Sequence, residues 1–349
     1  MIKGRHAVLA AWGLFWSVTP SSAALPQSVA EVSLDAFVTS RVRDASPVFL
    51  SDDSVSLLVR SGLSETSGSV VVVLRLADGT LQTAARASAS GGANRLLAVS
   101  DQRILVWSRR SVKLLSPDLR AEWVVPMRKR LVLRSFPRSG IIGEWDDRWT
   151  VIRLTPEMRT IRNGSGELMS LSDDVIVVRS DNTLRVESFD DRVLGSIMVP
   201  KETSGAPIVE VAGPDRLFLN FDNIHRIVDF RGKQISSIPP PPGWGFDHGW
   251  SSDGRRVLFD HYTRKASFAE RAIESLGSIL VPAPEESNGE TITVVDTKTG
   301  KVCFRLDGAP NFGSAGRMHA DISPSGRLVG VATINTFSVY NLPETCTDH

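Results

Sequence analysis

What most restricts this chain is a period. Beyond residue 25 the sequence is a succession of short runs rich in Val, Ile, Leu, Phe and Thr, bounded by Asp, Gly, Ser or Asn. The order of strand, turn, strongly apolar strand and two further strands returns about every 40 residues. The 3.6-residue spacing of an amphipathic helix is nearly absent. A unit of that size cannot bury both faces of its own sheet, so it has to pack against copies of itself.

Seven such units can be followed. Their first strands are Val48–Ser51, Leu96–Val99, Leu131–Ser135, Leu168–Leu171, Ile208–Val211, Phe246–Trp250 and Ala320–Ile322, each followed by a turn rich in Asp, Ser, Gly or Pro. The second strands are Val55–Val59, Ile104–Trp107, Ile141–Trp145, Val175–Val178, Leu217–Phe221, Val257–Phe259 and Leu328–Ala332. They are the most apolar runs in the chain, as strands covered on both faces have to be. The fold expected is all-β, a seven-bladed β-propeller of four-stranded antiparallel blades formed by residues 24–349 as one domain. The same spacing also accommodates six or eight blades. The last unit is one strand short, because after Phe337–Tyr340 the chain runs into Leu342 and Pro343. Val29–Phe37 is a strand without a unit of its own, and laying it beside Phe337–Tyr340 closes the ring and removes two exposed edges.

The last two units carry a resemblance. His319-Ala320-Asp321-Ile322-Ser323-Pro324-Ser325-Gly326-Arg327-Leu328 and Trp250-Ser251-Ser252-Asp253-Gly254-Arg255-Arg256-Val257-Leu258-Phe259 resemble the strand-turn-strand signature of bacterial WD-repeat-like and YVTN-like seven-bladed propellers. Val294-Val295-Asp296-Thr297-Lys298-Thr299-Gly300-Lys301 is similar to the hairpin joining the third and fourth strands of such a blade. The matches cover about a quarter of the chain, and the first five units share only spacing and turn chemistry.

The amino terminus has a different character. Lys3 and Arg5 precede an apolar stretch from Ala7 to Val18, and Ser21, Ser22, Ala23 and Ala24 form a small-residue cleavage zone. That is the layout of a secretory signal peptide over residues 1–23, with an apolar run too short for a membrane span. The mature chain is therefore expected in the periplasm or outside the cell, without a membrane span. Export gives Cys303 and Cys346 a compartment in which disulfides persist, and a bridge between them is the candidate against two free thiols. Forty basic residues against thirty-nine acidic ones leave a net charge of +1, which provides no field for nucleic acid. Arg128, Lys129 and Arg130 read as a solvated turn, and Asn163-Gly164-Ser165 as a loop.

No nucleophile elbow, phosphate loop, zincin helix or cysteine pair at zinc spacing occurs. Ser251-Ser252-Asp253-Gly254-Arg255 misses the sialidase box because its glycine comes one residue early. No cofactor or metal is implied. The composition changes near the sixth unit, where Pro239–Pro242 leads to Trp244, Asp247 and His248, and Asp260, His261 and Tyr262 end the second strand. Together with His319 they form a candidate ligand or partner rim, since the entry into a first strand and the loop between second and third strands share one face of a propeller. The alternative is that these aromatics and histidines pack between blades. Residues 264–290 interrupt the sixth unit, and Phe268, Ala272, Leu276 and Leu280 recur every fourth residue there, which predicts a short amphipathic helix over this rim. Two functions follow. The first is an exported, monomeric, non-catalytic propeller that binds a protein or glycan. The second is a metal-assisted hydrolase or lactonase-like enzyme, with ligands drawn from Asp247, His248, Asp260, His261, His319 and Asp321 at the top of the channel.

Overall fold

The computed structural model describes residues 26–62, 68–89, 93–108, 111–126, 132–134, 140–145, 148–154, 158–199, 208–221, 224–238, 244–264, 288–307 and 318–346. The residues of the expected signal peptide and cleavage zone lie outside this set, as do residues 265–287, on which the expected helix falls.

After β1 (Ser28–Ser33), blade 1 contains β2 (Val42–Ser51), β3 (Ser54–Ser61), β4 (Ser69–Ala77) and β5 (Thr80–Ala89). Blade 2 contains β6 (Ala93–Ala98), β7 (Ile104–Ser108), β8 (Ser111–Leu115) and β9 (Ala121–Pro126), and blade 3 contains β10 (Val132–Arg134), β11 (Ile141–Trp145), β12 (Trp149–Arg153) and β13 (Arg159–Gly164). Blade 4 contains β14 (Glu167–Leu171), β15 (Val175–Ser180), β16 (Thr183–Ser188) and β17 (Val193–Met198). Blade 5 contains β18 (Ile208–Gly213), β19 (Arg216–Phe221), β20 (Ile224–Asp229) and β21 (Gln234–Ile238). Blade 6 contains β22 (Trp244–Trp250), β23 (Arg256–Arg264), β24 (Asn288–Asp296) and β25 (Val302–Asp307), and β26 (His319–Ile322), β27 (Leu328–Ala332) and β28 (Thr336–Asn341) begin blade 7. Each blade is a separate four-stranded sheet of antiparallel neighbours. The protein is a seven-bladed β-propeller.

The seventh sheet has the order β1-β28-β27-β26, so the amino-terminal strand completes the last blade. Ala30 pairs with Val339 and Val32 with Phe337. The expected strand is shorter than Val29–Phe37, because Leu34–Phe37 turns as one 3-10 helix. The chain has to leave the outer edge of blade 7 there and reach the inner strand of blade 1. Leu34 and Phe37 anchor that crossing in the core between the two blades, and the Leu34 amide donates to the Asn335 carbonyl.

Seven apolar clusters fill the seven joints between blades. Second-strand residues such as Leu57, Leu58, Ile104, Leu105, Val177 and Phe218 are fully covered, which explains why these strands are the most apolar of each blade. Polar side chains then tie neighbouring inner strands together. Ser170 accepts from the Val211 amide at 3.0 Å, and Glu210 accepts from the Trp250 indole at 2.7 Å. Asp173 accepts from the Gly140 amide at 2.8 Å, and burial pushes its carboxyl above the ordinary aspartate range against the opposing pull of that bond. At the ring closure Asp321 accepts from the Phe49 amide at 2.7 Å and Asp52 from the Ser325 amide at 3.0 Å.

Strand direction gives the ring two rims. The hairpins joining first to second and third to fourth strands lie on one, here the lower rim. Ser-x-Asp turns recur there, with Ser51, Ser116, Ser188 and Ser251 each donating to the aspartate two residues on. Gly254 in one of these turns has φ +65°, and a Cβ would strike the Ala212 carbonyl oxygen at 1.5 Å, so the Asp-Gly step is required by both turn shape and blade spacing. The upper rim carries the loops between second and third strands and the entries into each new blade.

Candidate functional site

The sixth blade departs from the others at the upper rim. β23 runs on to Arg264 and β24 starts at Asn288, and the two pair continuously from Arg256 with Asp296 to Arg264 with Asn288. Arg264 and Asn288–Glu290 therefore belong to this ladder and not to the insertion, a correction to the expected boundaries. Backbone pairing continues past the apolar run, with Asp260 opposite Ile292 and Thr263 opposite Gly289.

The ladder positions the candidate residues. Asp247 lies opposite Asp260, Phe246 opposite His261 and Trp244 opposite Tyr262, with an irregularity between Trp244 and Phe246. On the other side of β23, His261 lies opposite Thr291 and Tyr262 opposite Glu290. The side chains of Trp244, Asp247, His248, His261 and Tyr262 lie outside the described set, so only their rungs are placed.

Asp260 and His319 come together across the joint between blades 6 and 7. Asp260 is 9% exposed, and its Oδ2 lies 4.0 Å from His319 Nδ1, longer than a direct hydrogen bond. Asp321 reaches the inner strand of blade 1, where its carboxylate accepts from the Phe49 amide. Trp250, at the far end of β22, is a core residue of the joint between blades 5 and 6.

Two groups that the sequence reading passed over complete this part of the rim. Glu290 is 2% exposed and its carboxylate accepts from the Met318 amide, fixing the entry to blade 7. Thr291 donates to Asp307 at 3.0 Å, and Asp307 also receives the Arg305 guanidinium at 3.0 Å. Polar residues opening an otherwise apolar strand, Glu290-Thr291 before Ile292, were the signal available. Among the described residues, no set of three or more His, Cys, Asp or Glu is arranged to hold a metal ion.

Below this rim the carboxy terminus is strapped to the same joint. Cys303 on β25 is disulfide-bonded to Cys346, with Cα atoms 4.4 Å apart. Arg256 donates to the carbonyls of Gly326 at 2.7 Å, Pro343, and Glu344 at 3.3 Å. Burial lowers the pKa of this guanidinium. It still stays charged, since arginine titrates far above neutrality, and three carbonyl dipoles answer the charge.

No known family and no curated protein matches the sequence at a significant level. Solved structures match in shape. The chain is similar to Raptor from Chaetomium thermophilum at 10% identity and TM-score 0.57 over 92% of this chain, and it spans 29% of Raptor's length. It is similar to Sqt1 from Chaetomium thermophilum at 10% identity and TM-score 0.54, over 90% of this chain and 99% of that one. The WD40 β-propeller domain of Doa1 aligns at 14% identity and TM-score 0.48, over 92% and 97% of the two chains. At such identities the shared property is the fold.

Proposed function

We propose that this chain is an exported, monomeric, non-catalytic propeller that offers its upper rim, around blades 6 and 7, to a protein or glycan partner. The observation that carries this reading is the use made of the polar groups at the joints. Asp260 with His319, Glu290 with Met318, Asp321 with Phe49 and Glu210 with Trp250 each link one blade to the next. Side chains spent on joints make a rigid frame, and what a rigid frame presents is its rim. The resemblance of blades 6 and 7 to WD-repeat-like propellers supports the same role. Lys3, Arg5 and the apolar stretch from Ala7 to Val18 support export, and the Cys303–Cys346 bridge accords with an oxidising compartment.

Export is tested by fusing residues 1–30 to a reporter active only outside the cytoplasm. Binding is tested by crosslinking the mature protein in its own compartment, comparing the parent with Asp260→Ala/His319→Ala on the upper rim and Asp190→Ala on the lower. A crosslinked partner lost only with the upper-rim change supports the reading. Partner capture unaffected by that change overturns the placement, and metal-dependent lactone hydrolysis by the purified protein overturns the non-catalytic assignment.

A further inference from the structure

The outermost strand of every blade has one free edge, and propellers ordinarily keep these edges short and protected. Six of the seven outer strands here follow that rule. β1, β9, β13, β17, β21 and β25 have five or six residues, and Glu31, Pro126, Arg159, Arg305 and Asp307 stand on four of them. Shortness, charge and proline all keep an edge from pairing with another chain. β5 is the exception. It runs for ten residues, seven of them Ala, Ser or Thr, and pairs with β4 from Ala77 opposite Thr80 to Ser69 opposite Ala89. Its one charged side chain, Arg86, reaches to the crossing from blade 7, where it donates to the Phe37 carbonyl at 2.7 Å. Among the described residues, no strand lies on the other side of β5.

The space beside that edge is underfilled. Outer strands send Trp123, Ile161, Ile197, Ile238 and Phe304 into five other joints. At the joint between blades 1 and 2, β5 offers Ala85, Ala87 and Ala89, and a crevice of about 160 Å³ remains between β5 and blade 2. Across it stands Val124 on β9. Its neighbour Trp123 packs into the joint with blade 3, so Val124 points the other way, toward blade 1, and pairs with Lys113 of the crevice lining. Val124 stays 53% exposed, with alanines on the facing wall.

Such an edge selects its occupant by chemistry. Its outward N–H and C=O groups recur at the spacing of an extended backbone, and another strand matches them group for group. A fifth strand beside β5 sends alternate side chains to the blade 2 side, over Val124. A second copy of β5, paired antiparallel about a two-fold axis, would bring the same alanines to that side and leave Val124 uncovered. The segment that fits carries a large apolar side chain there.

We propose that the free edge of β5 receives an extended segment of a partner protein as a fifth strand of blade 1, with a large apolar side chain of that segment lying over Val124. The site is on the perimeter of blade 1 and does not depend on the rim reading.

The test is selection of short random peptides displayed on phage against the full mature chain, followed by calorimetry with the selected peptide in synthetic form. The peptide is expected to alternate apolar and polar residues, to bind once per chain, and to slow hydrogen exchange within Thr80–Ala89. A strand pairs through one edge. N-methylation of one alternate set of peptide amides is therefore expected to weaken binding by about tenfold or more, and of the other set to leave it unchanged. Val124→Asp, at an exposed side chain, is expected to weaken binding by about tenfold or more with the melting temperature unchanged. The methylated pair decides the matter if that variant does not fold. Asp260→Ala/His319→Ala leaves peptide binding unchanged. Failure to enrich a peptide that protects β5, equal effects of the two methylations, or full binding by a folded Val124→Asp protein overturns the proposal. A dimer of the chain that the peptide dissociates assigns the edge to a second copy and likewise overturns it.

Discussion

Blade 1 has two neighbours, and the two joints are built on different principles. Its joint with blade 7 brings together residues 272 positions apart, as in the bond from the Phe49 amide to Asp321. Loop-closure scaling puts the entropic cost of such a meeting at about 5 kcal/mol, more than one hydrogen bond of about 1 kcal/mol can offset. The structure answers with a shared sheet, two carboxylate-to-amide bonds, and the burial of Leu34 and Phe37, each of those side chains contributing about 1.5 to 3 kcal/mol. The joint with blade 2 connects consecutive units, needs no such closure, and tolerates three alanines and a cavity. The polar and apolar commitments gather where the two ends of the chain have to meet.

Removing residues 26–37 is the most severe way to break this contrast. It unpairs β28 and opens the joint, so the expected loss exceeds about 5 kcal/mol and leaves an insoluble or loosely folded product by circular dichroism. A truncated protein melting with the parent would show that β1 does not close the ring. The next largest effect concerns the strap that follows β28. Cys346→Ser opens a bridge spanning 43 residues, worth up to about 4 kcal/mol in the chain-entropy account, and urea unfolding should record a loss approaching that figure. No change in the midpoint would mean that Arg256 and the apolar packing of the tail suffice.

Asp321→Ala sharpens the comparison at a single bond. It leaves the Phe49 amide without its acceptor, at a cost of about 1 to 3 kcal/mol, and hydrogen exchange at Phe49 should accelerate more than at any amide between blades 1 and 2. The smallest effect is expected at Asp173, in an ordinary joint. Burial raises its pKa above 3.8, so the folded state holds a proton that the unfolded state has released between 3.8 and the folded value. Stability therefore falls as pH rises through that window. Asp173→Asn keeps an acceptor for Gly140 and removes the charge. Its melting temperature should equal or exceed the parent's at pH 7, with the difference vanishing below pH 3.8. A variant less stable at pH 7 than at pH 3 relative to the parent would reverse the sign of the burial effect.

Local chemistry made the blades readable one at a time. Leu57–Val59 and Val175–Val178 announce covered strands by being apolar throughout, and Ser251-Ser252-Asp253-Gly254 announces its hairpin by the φ that glycine supplies. The candidate rim was readable only as a composition. The side-chain meeting shown among its described residues joins Asp260 to His319, 59 positions later in the sequence, across two sheets. Glu290 was overlooked because a glutamate at a strand start looks like a solvated end until Met318 is placed beside it.

The sequence by itself determined the repeat, the strand order within blades, the turn types and the missing strand of the last blade, because each is a matter of side-chain alternation and backbone preference over a few residues. It took the tertiary arrangement to show which polar groups serve as joints, that Asp321 holds the Phe49 amide of blade 1, and that the joint between blades 1 and 2 has a cavity beside three alanines. Those outcomes depend on volumes and partners supplied from a neighbouring sheet, and a side chain's own sequence neighbours carry no record of what the next blade will bring against it.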